Sequence, residues 1–568
     1  MIRPLLLLGW CLVCWLSSWA QPTYLEVEGT NAVQFSVRSD GLLFNNPSGA
    51  KFRLDEDSIN MMQGAGLWIS GVTPAGDPIS MRSPLEEGQE SDFKPGFLDP
   101  ETGEVLGANQ FWRIDRRTLQ RFFSDYGEDL IVDLQIPAIF GWPGRNNAFF
   151  EEIHGYALPE DKDLAPFWDQ NGNGNYEPDQ GDYPSLDVIG CSLPFMDELI
   201  WFAYHTPLDT LPSGLLFKLE VYAQVYTFAC DTDPILNQSV FVNKQIFHRG
   251  IELVYDVQVG MGLDFSIGCP EDDYIGSYPE INSVFAYNAN EQDALGCEEG
   301  FESSQIPSMV AFQQIDCYYE SEDDPYENNY LATFKPLWPN DDSRPPGMQQ
   351  PVTPLEYFYF FSGTWRDQTP LTYGGDGYQD GTEEVSMIFS DSPQDNEGWS
   401  ERTALQSPGK RKALATSPKG IFYPDDVIEV NYAFTIFNDP QATSVDDEFE
   451  DFYNRYEGLH SFMDCSHTFE GQLIVCNEAT SIQEQITRNQ SLDLFPNPAR
   501  AQVHLQLHQG TVEQVRLLGM DGKMLQQFSA TNSPIEQIDI AHLRVGVYIV
   551  QVVTSEGKWA NQKLVVSR

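Results

Sequence analysis

The residues best suited to chemistry stand together at 169–182: Asp169-Gln170-Asn171-Gly172-Asn173-Gly174-Asn175-Tyr176-Glu177-Pro178-Asp179-Gln180-Gly181-Asp182. Counted from Asp169, oxygen-bearing side chains fall at loop positions 1, 3 and 5, glycine stands at 6 where such a loop turns sharply, and Asn175 can lend its backbone carbonyl at 7. That is the first half of an EF-hand calcium loop. Position 12 is Gln180 in place of the bidentate glutamate, so the closing carboxylate has to come from Glu177, Asp179 or Asp182. The expected ligand set is Asp169, Asn171, Asn173, Asn175, Glu177 and Asp182, with calcium as a structural cofactor. A plain Asn/Gly turn is the competing reading.

Other groupings are less specific. Asp264, Glu271, Asp272 and Asp273 follow a strand end and read either as a second calcium site or as a solvated loop. His460, Cys465, His467 and Cys476 are zinc-type ligands, but their spacing matches no standard module. The glycine-rich run Tyr373-Gly374-Gly375-Asp376-Gly377-Tyr378 reads as a tight loop in preference to a sugar-binding site. There is no His-Glu-x-x-His helix, no Gly-x-Ser-x-Gly elbow and no phosphate-binding Gly-x-x-x-x-Gly-Lys. A glycosidase needs only two carboxylates, a test that 85 acidic residues make uninformative.

The elements that would position these residues read as strands. Residues 215–226, 239–247, 253–260 and 426–437 are apolar with partial alternation and are separated by Gly- and Pro-containing connections. One helix is expected near 445–463, where Phe449, Phe452, Tyr453, Tyr456, Leu459 and Phe462 recur three or four apart and Ser444 offers an N-cap. Such an aromatic stripe reads as core packing. Residues 477–490 are polar and read as a linker.

The chain carries −53; its last 78 residues hold seven Lys or Arg against six Asp or Glu and its first twenty hold only Arg3, so residues 21–490 carry −55. A surface of that sign repels nucleic acid and anionic lipid and attracts divalent cations. Disorder is excluded by 13% aromatic and 41% hydrophobic residues.

Arg3, the apolar run 5–16 and Ser18-Trp19-Ala20 compose a signal peptide over 1–20, and no later run is long enough to span a membrane. Seven cysteines remain beyond it, and in an oxidising compartment they pair. The pairing guessed is Cys191 with Cys230, Cys269 with Cys297 and Cys465 with Cys476, with Cys317 left over.

The last segment opens at Leu494-Phe495-Pro496-Asn497-Pro498, passes through Val515-Arg516-Leu517-Leu518-Gly519-Met520-Asp521-Gly522-Lys523 and ends in Gly546-Val547-Tyr548-Ile549-Val550 and Lys563-Leu564-Val565-Val566. Alternation at 503–507 and the Asp521-Gly522 hairpin signal describe a small β module, with Val547, Ile549, Val552, Leu564 and Val566 as its core. It resembles the C-terminal sorting domain, type A, of the type IX secretion system of Bacteroidota. An immunoglobulin-like adhesive domain is the other reading. Within the body, the runs Gly66-Leu67-Trp68-Ile69, Gly181-Asp182-Tyr183-Pro184, Asp272-Asp273-Tyr274 and Gly374-Gly375-Asp376 resemble a group of large secreted Bacteroidota proteins with the same tail. That resemblance implies an architecture and no catalytic residue.

The expected fold is mostly β: a multidomain antiparallel β-sandwich body and an immunoglobulin-like β-sandwich sorting domain. The division expected is 1–20 signal peptide, 21–190 β-rich region with the calcium-type loop, 191–476 sandwich body, 477–490 linker and 491–568 sorting domain. The function expected is that of a secreted or cell-surface binding or structural module, stabilised by calcium. It would meet the type IX machinery through 491–568 and then glycans or surface proteins. A secreted polysaccharide-degrading enzyme is the alternative.

Overall fold

The computed structural model describes residues 22–453 and 492–566 apart from short internal stretches, the longest being 208–216, 292–307 and 321–325. The expected signal peptide, the expected linker and the zinc-type set at 460–476 lie outside the described residues. Eight strands carry the body: β1 (Met62–Val72), β2 (Glu198–His205), β3 (Leu219–Thr227), β4 (Ser239–His248), β5 (Val254–Phe265), β6 (Met309–Glu320), β7 (Arg411–Thr416) and β8 (Val427–Phe437). The four runs expected as strands are β3, β4, β5 and β8, within a few residues at each end.

Two antiparallel sheets result. In the ten-stranded sheet β6, β8, β4, β3 and β2 lie side by side, so the late strand β8 is inserted between β4 and β6. In the six-stranded sheet the order is Thr333–Pro336, β7, β5, β1, Pro78–Arg82. Strands from before and after residue 190 thus share one sandwich, because β1 pairs along β5 from Val72 to Met62. The boundary expected at 190 does not divide the sheets.

One apolar core holds the inner faces of both sheets, with Leu67, Ile69, Val259 and Met261 on one side and Val221, Val225, Val242 and Phe434 on the other. It extends over the outer face of the small sheet through Phe360, Trp365 and Phe389. A second core covers the far face of the large sheet and joins Trp201, Tyr226 and Phe241 to Trp112, Phe122 and Phe150. Burial on both faces explains the weak alternation of β3, which is buried at all nine positions.

Across the large sheet runs a buried polar row that fixes its register. The Gln224 amide donates to Asn243 at 3.0 Å, Asn243 to Asn431 at 2.9 Å and Asn431 to Asp316 at 2.7 Å, and each pair is directly cross-strand. A slip of two residues would keep every side chain on its own face but would leave these buried groups unmatched.

Residues 445–450 and 452–453 are helical, and the rest of the expected helix lies outside the described residues. Its stripe is core packing: Phe449 and Phe452 are fully buried, against Phe285, Tyr287 and Phe437 at ring distances of 5.0–5.7 Å. Asp447 begins it by accepting from the backbone N–H groups of Thr443 and Ser444. Cys230 and Cys269 are disulfide-bonded, and which cysteines they meet lies outside the described residues; Cys317 is a buried free thiol.

The tail forms a separate β-sandwich. Leu492–Phe495, Gln502–Leu507 and Ile535–Asp539 make one sheet, and Met524–Ser529, Val512–Leu518, Gly546–Thr554 and Trp559–Val566 the other. Val503, Leu505, Val515, Leu517, Val550, Val552 and Leu564 fill it. Asp521-Gly522 lies outside the described residues, but the strands it joins pair, with Leu518 opposite Met524.

Candidate functional site

The loop at 169–182 is a hairpin end. Phe167–Trp168 pairs with Tyr183–Pro184 at its neck, and Tyr176 anchors its middle, fully buried with its hydroxyl donating to the Ile139 carbonyl at 2.8 Å. Gly174 has φ +79, the left-handed conformation the turn requires.

Above that anchor the polar side chains gather. Asp169 accepts from the backbone N–H of Gly172 at 2.6 Å and of Gly174 at 2.7 Å. Asn171 and Asn173 each accept from the N–H two residues on. The side-chain amides of Asn171 and Asn173 then donate to the same Glu177 Oε2. Asp169, Asn171, Asn173 and Glu177 are therefore one constellation.

Asp182 and Asn175 stand apart from it. Asp182 is buried beneath the loop and accepts from Gln170 N–H at 2.8 Å and Glu177 N–H at 2.7 Å, so it ties the two limbs together. Burial pushes its carboxyl up to about 6, against the pull of those two hydrogen bonds. Asn175 turns its side-chain oxygen to Asn146 at 2.8 Å. Among the described residues no three His, Cys, Asp or Glu side chains are grouped to hold a metal. A cation site here must draw on the two asparagines, and the donor set, all oxygen once the amides turn, is of the hard type that calcium takes.

The second acidic group does not converge. Asp264 faces Lys412 at 3.4 Å, Glu271 faces Lys410 at 3.5 Å, Asp272 accepts from Asn290 at 3.0 Å and Asp273 accepts from the Ile267 N–H at 3.0 Å. Four carboxylates with four partners make a braced loop. The 373–378 run is likewise braced by its neighbours: Trp399 donates to the Gly375 carbonyl at 3.0 Å, Trp365 to that of Gly377 at 2.9 Å, and Tyr378 to Asp367 at 2.7 Å.

Sequence reasoning missed a cleft of about 130 Å³ beside the Pro354–Phe361 helix. Its described lining includes Trp68, Arg82, Asn340, Gln350, Tyr357 and Lys412. Trp68 can lie against the sheet because a Cβ on Gly262, in the neighbouring strand, would come within 2.6 Å of the indole nitrogen. The indole donates to the Ser83 carbonyl at 2.8 Å, and its ring meets Tyr357 edge-on at 5.5 Å. Arg82, directly across from Trp68 in the next strand, lays its guanidinium 5.0 Å from the Tyr357 ring centre and 5.9 Å from that of Trp68. No local spacing announces this site, since its residues come from four distant segments.

Residues 493–567 match the secretion system C-terminal sorting domain, which the sandwich of 492–566 builds. Comparison with curated proteins gives no match. Among solved structures, the chain is similar to a polysaccharide lyase at 6% identity over 64% of this chain and 36% of that one, with a TM-score of 0.17. It is similar to Salmonella alpha-2-macroglobulin reacted with methylamine at 11% identity over 96% of this chain and 36% of that one, with a TM-score of 0.12. The chain spans about a third of the length of each. Scores this low carry no argument about fold or activity.

Proposed function

We propose that the chain is cargo of the type IX secretion system whose body serves, at the cell surface or in the medium, as a calcium-stabilised binding or structural module. The observation that carries the export reading is the sorting-domain match over 493–567. The disulfide-bonded state of Cys230 and Cys269 suits an oxidising destination. No described helix is long and apolar enough to cross a membrane.

The binding reading rests on the cleft. Its described lining offers two cations and three carboxamides, groups that hold a ligand. Calcium would be held by Asp169, Asn171, Asn173 and Glu177, with the two Asn-to-Glu177 hydrogen bonds giving way to shared coordination. It would supply charge neutralisation at an exposed acidic loop, and Asp182 would continue to tie the limbs below it.

Deletion of residues 491–568 in the native host tests the export reading. The truncated chain is expected to accumulate inside the outer membrane with its body folded, read by fractionation and by the melting curve of the trapped protein. Normal amounts of truncated protein at the surface or in the medium would sink the assignment.

A further inference from the structure

The body holds its charges in a consistent way, with one departure. Arg38, Arg113, Arg249, Arg366 and Arg411 each meet a carboxylate within 3.1 Å. Arg82 is half-buried and no described carboxylate lies within ion-pair distance of its guanidinium. Asp92 is near, but it accepts from the Arg82 backbone N–H at 2.9 Å. Two aromatic rings hold the guanidinium, and the charge of Asp92 acts on it only from beyond ion-pair distance. Stacking orients a guanidinium without neutralising it and leaves its planar fork of N–H donors free at the edge.

That fork belongs to the cleft, and so does Lys412, which is paired with Asp264 at 3.4 Å. Acidic residues outnumber basic ones by 85 to 32 in this chain, so a described lining whose only ionised groups are cations is selected against the composition. Asn340, whose oxygen accepts from Arg366 at 3.2 Å, keeps its amide nitrogen for a ligand. Donors therefore dominate the lining.

We propose that this cleft binds a small carboxylate ligand, gripped by the Arg82 guanidinium with Lys412 as the second positive charge. A carboxylate is the planar partner that an arginine fork matches with two parallel hydrogen bonds. The cleft is small, about 130 Å³, on the scale of one acid-bearing unit. The strongly negative body repels polyanions at long range, which also favours a ligand of single charge. One sugar acid and one peptide C-terminus share this chemistry. The proposal is independent of the export reading and survives its failure.

Titration calorimetry or ligand-observed NMR on the mature full-length chain tests it, with D-glucuronate and N-acetylalanine as carboxylates and glucose and N-acetylalanine amide as neutral counterparts. At least one carboxylate is expected to bind at least tenfold more tightly than its neutral counterpart, and which one does so tells a sugar acid from a peptide end. Arg82→Gln is expected to weaken that binding at least tenfold, and Arg82→Lys to restore part of it, since charge returns without the fork. Equal binding of acid and neutral partner by the wild-type chain, or no binding of either acid at millimolar concentration, overturns the proposal. So does full binding by a folded Arg82→Gln chain. The wild-type comparison stands even if the variant fails to fold.

Discussion

The loop at 169–182 and the cleft at Arg82 solve opposite problems of charge. The loop gathers acidic and amide side chains from fourteen consecutive residues and satisfies most of them within itself, while Tyr176 and Asn175 tie it to Ile139 and Asn146. The cleft holds a cation in an acidic protein by stacking it on rings that the core itself positions. A site made of neighbours in sequence carries its own geometry. A site made of distant residues borrows its geometry from the fold, and its disruption should cost the fold as well.

The largest effect should come from the borrowed site. Trp68 is buried and belongs to the main core, so Trp68→Ala is expected to destabilise the body by about 3–5 kcal/mol, measured by denaturant unfolding. A loss below about 1 kcal/mol would mean that the indole is not part of the framework and would erase the contrast.

The loop should lose a ligand effect and little else. Calcium at a hundredfold excess over its dissociation constant would stabilise the body by about 2.7 kcal/mol. The Asp169→Ala, Asn173→Ala double variant is expected to abolish that gain while its melting temperature without calcium stays close to wild type. Magnesium at equal concentration controls for screening, because its octahedral demand suits the loop poorly. A double variant that keeps the calcium-specific shift would reduce the loop to a turn.

The smallest effect sharpens the comparison from beneath the loop. Asp182 titrates near 3.9 when unfolded and at about 6 in the folded protein. The folded state therefore holds the proton more tightly. Its contribution is complete below pH 4 and is lost as pH rises to 6, leaving a buried charge at neutral pH. Asp182→Asn is expected to flatten this part of the stability profile between pH 4 and 7, measured without calcium. It should also cost about 0.5–1.5 kcal/mol, because the asparagine NH₂ cannot accept from one of the two N–H groups. An unchanged profile would show that Asp182 does not titrate in that window.

The parts legible in the sequence were those whose signal is local. The alternation of Val503, Leu505 and Leu507 marked a tail strand, and the spacing of Phe449 and Phe452 marked a packed helical face. The gathering of Asp169, Asn171 and Asn173 was visible because consecutive turns can only bring them together. The sequence shows the charge of Asp182 but not its burial or its two backbone hydrogen bonds, which tie the limbs of the loop. Pairing of β1 with β5 across position 190 joins residues nearly two hundred positions apart, and no composition shift records that. The Arg82 cleft was invisible for the same reason, and the one local trace of it is a glycine, Gly262, whose partner Trp68 lies in another strand.

The place of β8 at the centre of the large sheet sets a schedule for the chain. Until residue 437 is available, β4 and β6 are two bare edges with no neighbour between them, and neither half of the sheet can settle against the other. Pairings this distant form slowly, since a long loop must close first. The structure is thus keyed by the last described strand before the tail, and the sandwich closes only when nearly all of the body is available. The same delay leaves the edges of β4 and β6 unpaired while the chain folds, the state in which strand edges aggregate most readily.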